Sequence, residues 1–142
     1  MRYSKILFLA AFLVLIGCQN KNKKSSDLNK KSAKIETSEK FNQFNIRFHS
    51  DSIFQISRID FPIEGLSVSG FDRHKWTKEN WEFMIIPVSE KNTIDEYEHS
   101  LIKNDSLVIE RFWIPDSGFE VERQFKLIRN KWFLVYYNDI NL

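Results

Sequence analysis

Two charged residues on apolar stretches are the first candidates for chemistry. Leu107 to Ile114 and Phe119 to Ile128 read as strands, with Pro115-Asp116-Ser117-Gly118 as the turn between them. If Pro115 opposes Gly118, one face carries Ile114, Phe112, Glu110 and Val108 opposite Phe119, Val121, Arg123 and Phe125. All are apolar except Glu110 opposite Arg123, and on the other face Arg111 meets Glu122. A slip of one residue would set Arg111 against Arg123, so charge and apolar pairing select the same register. An ion pair on an inward face either is a satisfied structural pair or anchors a ligand pocket. Arg would suit a carboxylate or phosphate through its planar fork. Arg58 and Gln55, with Tyr136 on the last strand, join Glu110 and Arg123 as candidate pocket residues, although a backbone-bonding structural role is the safer reading of Arg58 and Gln55.

Other chemistry is thinly supported. His49, His74 and His99 have no metal-ligand spacing, so no metal or cofactor is expected. His74 sits in the polar run Asp72-Arg73-His74-Lys75 and reads as solvated. His99 follows Asp95, Glu96 and Glu98 and reads as part of a surface charge cluster. In His49-Ser50-Asp51, Asp51 is read as a helix cap rather than a partner for His49. Ser67 and Ser69 do not form a Gly-x-Ser-x-Gly elbow, and the carboxylates are too scattered to nominate a glycosidase pair. No catalytic constellation emerges.

The elements that position these residues follow from spacing. Phe41, Phe44 and Phe48 mark one face of a helix that ends near His49, with Ser38 as its N-cap. Ser50 or Asp51 caps a second, short helix carrying Ile53 and Ile56. Phe61 to Val68 reads as a strand and Gly70 to Lys75 as a loop. Trp81 to Val88 reads as a strand, and Ile94, Tyr97, Leu101 and Ile102 fit a helical face, with a strand not excluded. Arg129 to Lys131 turns, and Trp132 to Tyr137 is the last strand. The sum is α+β: two N-terminal helices packed on a curved, mostly antiparallel sheet that ends in a three-strand meander. Trp113, Ile109 and Leu107 lie on the other sheet face, available to the 93–103 segment or to a second copy in a homodimer.

The chain has 142 residues, enough for one domain. Its 42% hydrophobic and 28% charged residues describe a folding chain. Its one Cys excludes a disulfide framework. Arg2 and Lys5 precede an unbroken apolar run from Ile6 to Ile16. A helix of that length reaches roughly 16 Å, against about 30 Å of hydrocarbon. It reads as a signal peptide (1–17) that ends in the lipobox Leu15-Ile16-Gly17-Cys18. Cys18 is thus expected to carry the lipid that anchors the chain to a membrane. Gln19, rather than Asp, points to the outer membrane, facing the periplasm. Residues 18–38 read as a Lys/Asn/Ser-rich tether. The stretch 19–38 has six Lys against Asp27 and Glu36, a net of +4. Residues 39–142 carry 13 basic and 17 acidic residues, a net of −4. That balance is no nucleic-acid footprint.

The run Phe41-x-x-Phe44-x-x-x-Phe48-x-Ser50-Asp51-x-x-Phe54-Gln55-x-x-Arg58-Ile59-x-Phe61-Pro62 resembles the N-terminal signature of a Bacteroidota lipoprotein family, domain of unknown function family 4348. Phe125-x-x-Ile128-x-Asn130-Lys131-Trp132-x-Leu134 resembles the closing hairpin common in the nuclear transport factor 2 (NTF2) superfamily, without its usual turn Gly, which leaves the register open. The resemblance spans 39–142 and implies a cone of curved sheet around helices. It assigns no activity and no residue role. The expected function is a lipid-anchored, non-catalytic module for a small ligand or peptide. The alternatives are an envelope protein that binds other proteins without a pocket, and, more remotely, an enzyme that uses cone-lining polar residues.

Overall fold

A computed structural model describes residues 37–92 and 94–142; the expected signal peptide, the expected lipidation site Cys18 and almost all of the expected tether lie outside them. Helix α1 (Phe41–Phe48) forms on its three-phenylalanine stripe, and all three rings are buried. Its cap differs from expectation. Lys40 is the N-cap and gives no side-chain bond, so Ser38 does not cap the helix. Instead, the segment before α1 is tied to the sheet. Glu39 N–H donates to the Asn130 carbonyl, and the Glu39 carboxylate accepts from Arg58 and from the Trp132 N–H. Helix α2 (Ser52–Ser57) is capped by Asp51, which accepts from the Phe54 N–H at 2.9 Å.

The strands are β1 (Ile59–Glu64), β2 (Ser67–Ser69), β3 (Asp72–His74), β4 (Glu98–Lys103), β5 (Leu107–Ile114), β6 (Phe119–Ile128) and β7 (Lys131–Asn141). They form one sheet in the order β3-β2-β7-β6-β5-β4, with β1 also pairing β7. β1 and β2 run parallel to β7; the other pairs are antiparallel. The β5–β6 register pairs Glu110 with Arg123 and Arg111 with Glu122, as charge complementarity required. The β6–β7 turn closes without glycine. Arg129 and Asn130 both take positive φ, 49° and 64°, in a two-residue turn that pairs Ile128 with Lys131.

Five further expectations change. The strand expected over Phe61–Val68 is two, β1 and β2, divided at Gly65. There φ is 105°, and a Cβ would lie 2.1 Å from the Tyr137 carbonyl oxygen. Residues 72–74 of the expected loop form β3, a hairpin with β2. Residues 94–102 do not form a helix: β4 pairs with β5 over six residues and satisfies its backbone there. The last strand runs on to Asn141 because β2 and β6 both continue beside it. Trp81–Val88 forms no strand.

The core lies between the helices and the concave face. Phe41, Phe44 and Phe48 pack edge-on against Phe125, with Trp132 against Phe41. Val108 and Leu134, both wholly buried, belong to the same cluster.

Candidate functional site

Two residues beyond Phe125 on the same strand face, the core turns polar. Glu110 is wholly buried and Arg123 is 5% exposed. Arg123 Nε donates to Glu110 Oε2, and Nη2 contacts the same oxygen. Nη1 donates to the Ile86 carbonyl at 2.7 Å and meets His49 Nε2 at 3.0 Å. The second carboxylate oxygen, Oε1, accepts from the Ser89 N–H at 3.1 Å and faces His99 Nε2 at 3.3 Å. Burying an ion pair is costly unless its remaining donors and acceptors are met. Here both carboxylate oxygens and three guanidinium nitrogens have partners.

His49 is fixed in one neutral tautomer. Its Nε2 must accept, because arginine only donates, so Nδ1 carries the proton and donates to the Asn45 carbonyl at 2.8 Å. Burial, followed by the charge of Arg123, pushes its pKa down to about 4, while the bond to Asn45 acts the other way. His99 departs from the surface cluster read in the sequence. The alternation of β4 turns Glu98 outward and His99 inward, where its ring stacks on Phe112 at 4.5 Å. The signal was present as parity: His99 opposes Phe112, and Leu101 opposes Glu110, so His99 shares the Glu110 face once the segment is a strand.

The same buried polar groups hold the segment that failed to become a strand. Gln55 Nε2 donates to the Met84 carbonyl at 2.9 Å, and its Oε1 accepts from the Met84 N–H at 3.0 Å. Arg123 binds the Ile86 carbonyl. Asn45 donates to the Val88 carbonyl at 2.9 Å and accepts from its N–H at 3.0 Å. Glu110 accepts from Ser89. Residues 84, 86 and 88 are thus bound with the period of a strand, but by amide and guanidinium side chains in place of a neighbouring backbone. Buried peptide groups need partners, and these side chains supply them.

Between this segment and the sheet lies a cavity of about 410 Å³. Its walls include Met84, Ile86, Pro87, Ile94, Phe112, Phe119, Val121 and Tyr137, with Tyr97 stacked on Phe119 at 5.1 Å. The polar lining comes from Ser89, Lys91, Asn92 and Arg123. That volume and mixture lie within the usual range for small-molecule sites.

No protein-family model matches the chain, and no curated protein matches it. A solved structure does: an NTF2-like protein from Bacteroides fragilis NCTC 9343, at TM-score 0.50 and 20% identity, covering 74% of this chain and 48% of that one. The fold is NTF2-like. At this identity the likeness speaks for the fold alone, and the chain spans about half the length of that relative.

Within the NTF2-like frame, the five residues nominated from sequence separate. Glu110 and Arg123 meet, and Arg123 borders the cavity with Glu110 behind it. Gln55 does not reach the cavity. Its amide is spent on the Phe48 carbonyl, on Met84 and on the Trp81 indole. Arg58 turns the other way, into a two-pronged bond with Glu39 at 2.9 and 3.1 Å and onto the Trp132 carbonyl. Tyr136 is displaced by a bulge. Arg123 pairs with Tyr137 but Phe125 pairs with Leu134, so β7 holds an extra residue between them. Strict alternation from Trp132 and Leu134 would turn Tyr136 inward. The bulge substitutes Tyr137, whose hydroxyl pKa is raised, chiefly by burial. Tyr137 is the wall residue that sequence reasoning missed, together with His49 and His99 behind the wall.

Proposed function

We propose that this chain is a lipid-anchored envelope module whose NTF2-like domain binds a small molecule non-catalytically in the cavity beside Arg123. The observation that carries the reading is the cavity itself: apolar walls over a buried, hydrogen-bonded polar floor. The non-catalytic part is supported by how the floor is spent. His49 has both ring nitrogens bonded and stays neutral, and Glu110 is engaged through both oxygens. Neither is free to take a proton from a ligand.

The anchor rests on the Leu15-Ile16-Gly17-Cys18 motif, and the outer-membrane, periplasm-facing address on Gln19. Kinship with the family 4348 lipoproteins rests on the aromatic signature of residues 41–62. Labelled palmitate should enter the wild-type protein and not Cys18→Ser, which should also leave the membrane fraction.

The binding reading is tested with Nile red, a neutral apolar fluorophore. Saturable one-site binding is expected, and Val121→Trp, which intrudes into the cavity, should weaken it strongly while circular dichroism and melting temperature stay near wild type. Absence of saturable binding, or binding untouched by Val121→Trp in a folded protein, would contradict the proposal.

A further inference from the structure

The charges around the cavity select its occupant. No Asp or Glu is among its lining residues, whereas two cations are, Lys91 and Arg123. They are not equivalent. Arg123 is buried, and its charge is neutralised by Glu110. Lys91 is exposed, and among the described residues its ammonium enters no ion pair. Glu90, its neighbour in the chain, turns to Lys103 at 3.6 Å. Asp139, behind the Tyr137 wall, accepts from that tyrosine's hydroxyl at 3.3 Å.

The remaining polar lining is mostly spent. Asn92 Nδ2 donates to the Tyr97 carbonyl, and its Oδ1 accepts from the Ile94 N–H. Ser89 Oγ accepts from the Lys91 N–H. Unused side-chain donors thus remain at the Ser89 and Tyr97 hydroxyls and the Lys91 ammonium, of which Lys91 alone is a charge without a counter-ion among the described residues.

We infer that the ligand is an amphipathic anion, bound with its apolar body inside the cavity and its carboxylate or phosphate head at Lys91. The inference rests on the binding reading above and names the ligand class for that site. Burial sets the orientation. The floor is electrically balanced and most of its donors are engaged, so a charged head placed there would lose its hydration with little in return. At Lys91 the head keeps water and gains a cation, while the body meets Met84, Ile86, Phe112 and Val121. The chain's own tether is a poor occupant, because residues 19–38 carry a net charge of +4.

The test is competition against Nile red by decanoate, decyl phosphate, decanol and decyltrimethylammonium, each below its critical micelle concentration. Wild type should prefer the anions to decanol by about fivefold, the size expected of one exposed charge pair. Added salt should shrink that preference. The order of decanoate and decyl phosphate distinguishes a carboxylate ligand from a phosphate one, and either supports the inference. Lys91→Met should level anion and alcohol, and Lys91→Glu should shift the preference to the cation, each read as the ratio of displacement constants within the same variant. Equal displacement by decanoate and decanol in wild type would overturn the inference and leave the binding reading standing. A preference that survives Lys91→Met would overturn it too, by moving the head to Arg123. If Nile red itself finds no site, the binding reading fails, and this inference with it.

Discussion

The concave face of the sheet has two ends, and they are closed in opposite ways. Over Val108, Phe125 and Leu134 the lid is helix α1, which satisfies its own backbone and so can seal with phenylalanine alone. Two residues further along, over Glu110, Arg123 and Tyr137, the lid is the irregular segment 84–89. It brings unpaired peptide groups, so the core beneath it must carry Gln55, Asn45, Arg123 and Glu110 to meet them. The first end buries Val108, Phe125 and Leu134 completely. The second is held at fixed points and keeps a cavity between them. A lid without a ladder of its own thus explains the buried polar cluster and the void together.

The largest effects should come from disrupting either closure. Phe44→Ala should cost about 3–5 kcal/mol as a core cavity, and Glu110→Ala a similar amount by leaving Arg123 buried and uncompensated. Urea unfolding should therefore rank them together. Fluorescence should separate them, with Nile red binding kept in folded Phe44→Ala and weakened in folded Glu110→Ala. Similar binding in both would remove the distinction between the ends.

Gln55→Leu comes next. It keeps much of the volume but strips partners from Met84, Phe48 and the Trp81 indole. A loss of about 3 kcal/mol is expected, from several buried groups at about 1–3 each that do not add fully. A loss below 1 kcal/mol would mean that water replaces the amide freely.

Acid should weaken the polar end through His49. Its folded pKa lies at about 4, below the unfolded value of 6.5. Between those values the unfolded chain binds more protons, so stability rises with pH. The contribution is fully present above about pH 6.5 and is lost as pH falls towards 4, by roughly 3 kcal/mol. In His49→Gln that part of the slope should vanish from the pH dependence of urea unfolding; an unchanged slope would assign it elsewhere.

The smallest effect belongs to the convex face. Arg111 meets Glu120 there at 2.7 Å, half exposed, and Arg111→Ala should cost less than about 1 kcal/mol. A larger loss would mean that this face is covered in solution.

What the sequence made legible divides along the same line. At the aromatic end, the spacing of Phe41, Phe44 and Phe48 reports a helix directly, because the stripe and the element share one period. The β5–β6 register was legible because a slip would oppose Arg111 and Arg123. At the polar end, patterning misleads. Trp81–Val88 has a strand's hydrophobicity, but its partners are side chains dispersed over 45–123, which no local pattern reveals. His99 was misread because its direction depends on the parity of β4, and Tyr136 because one extra residue in β7 reverses parity after Leu134. Arg58 was open to two readings, and the backbone-bonding one holds.

The central claim is that buried side chains stand in for a neighbouring strand along residues 84–89. Residue-resolved amide exchange tests it most directly. The Met84, Val88 and Ser89 N–H groups, held by Gln55, Asn45 and Glu110, should exchange far more slowly than those of Phe83 and Ile85, and Ser89 protection should fall in Glu110→Ala. Uniformly fast exchange from 83 to 89 would contradict the account, since the segment would then be an unheld loop and the cavity beneath it no built site.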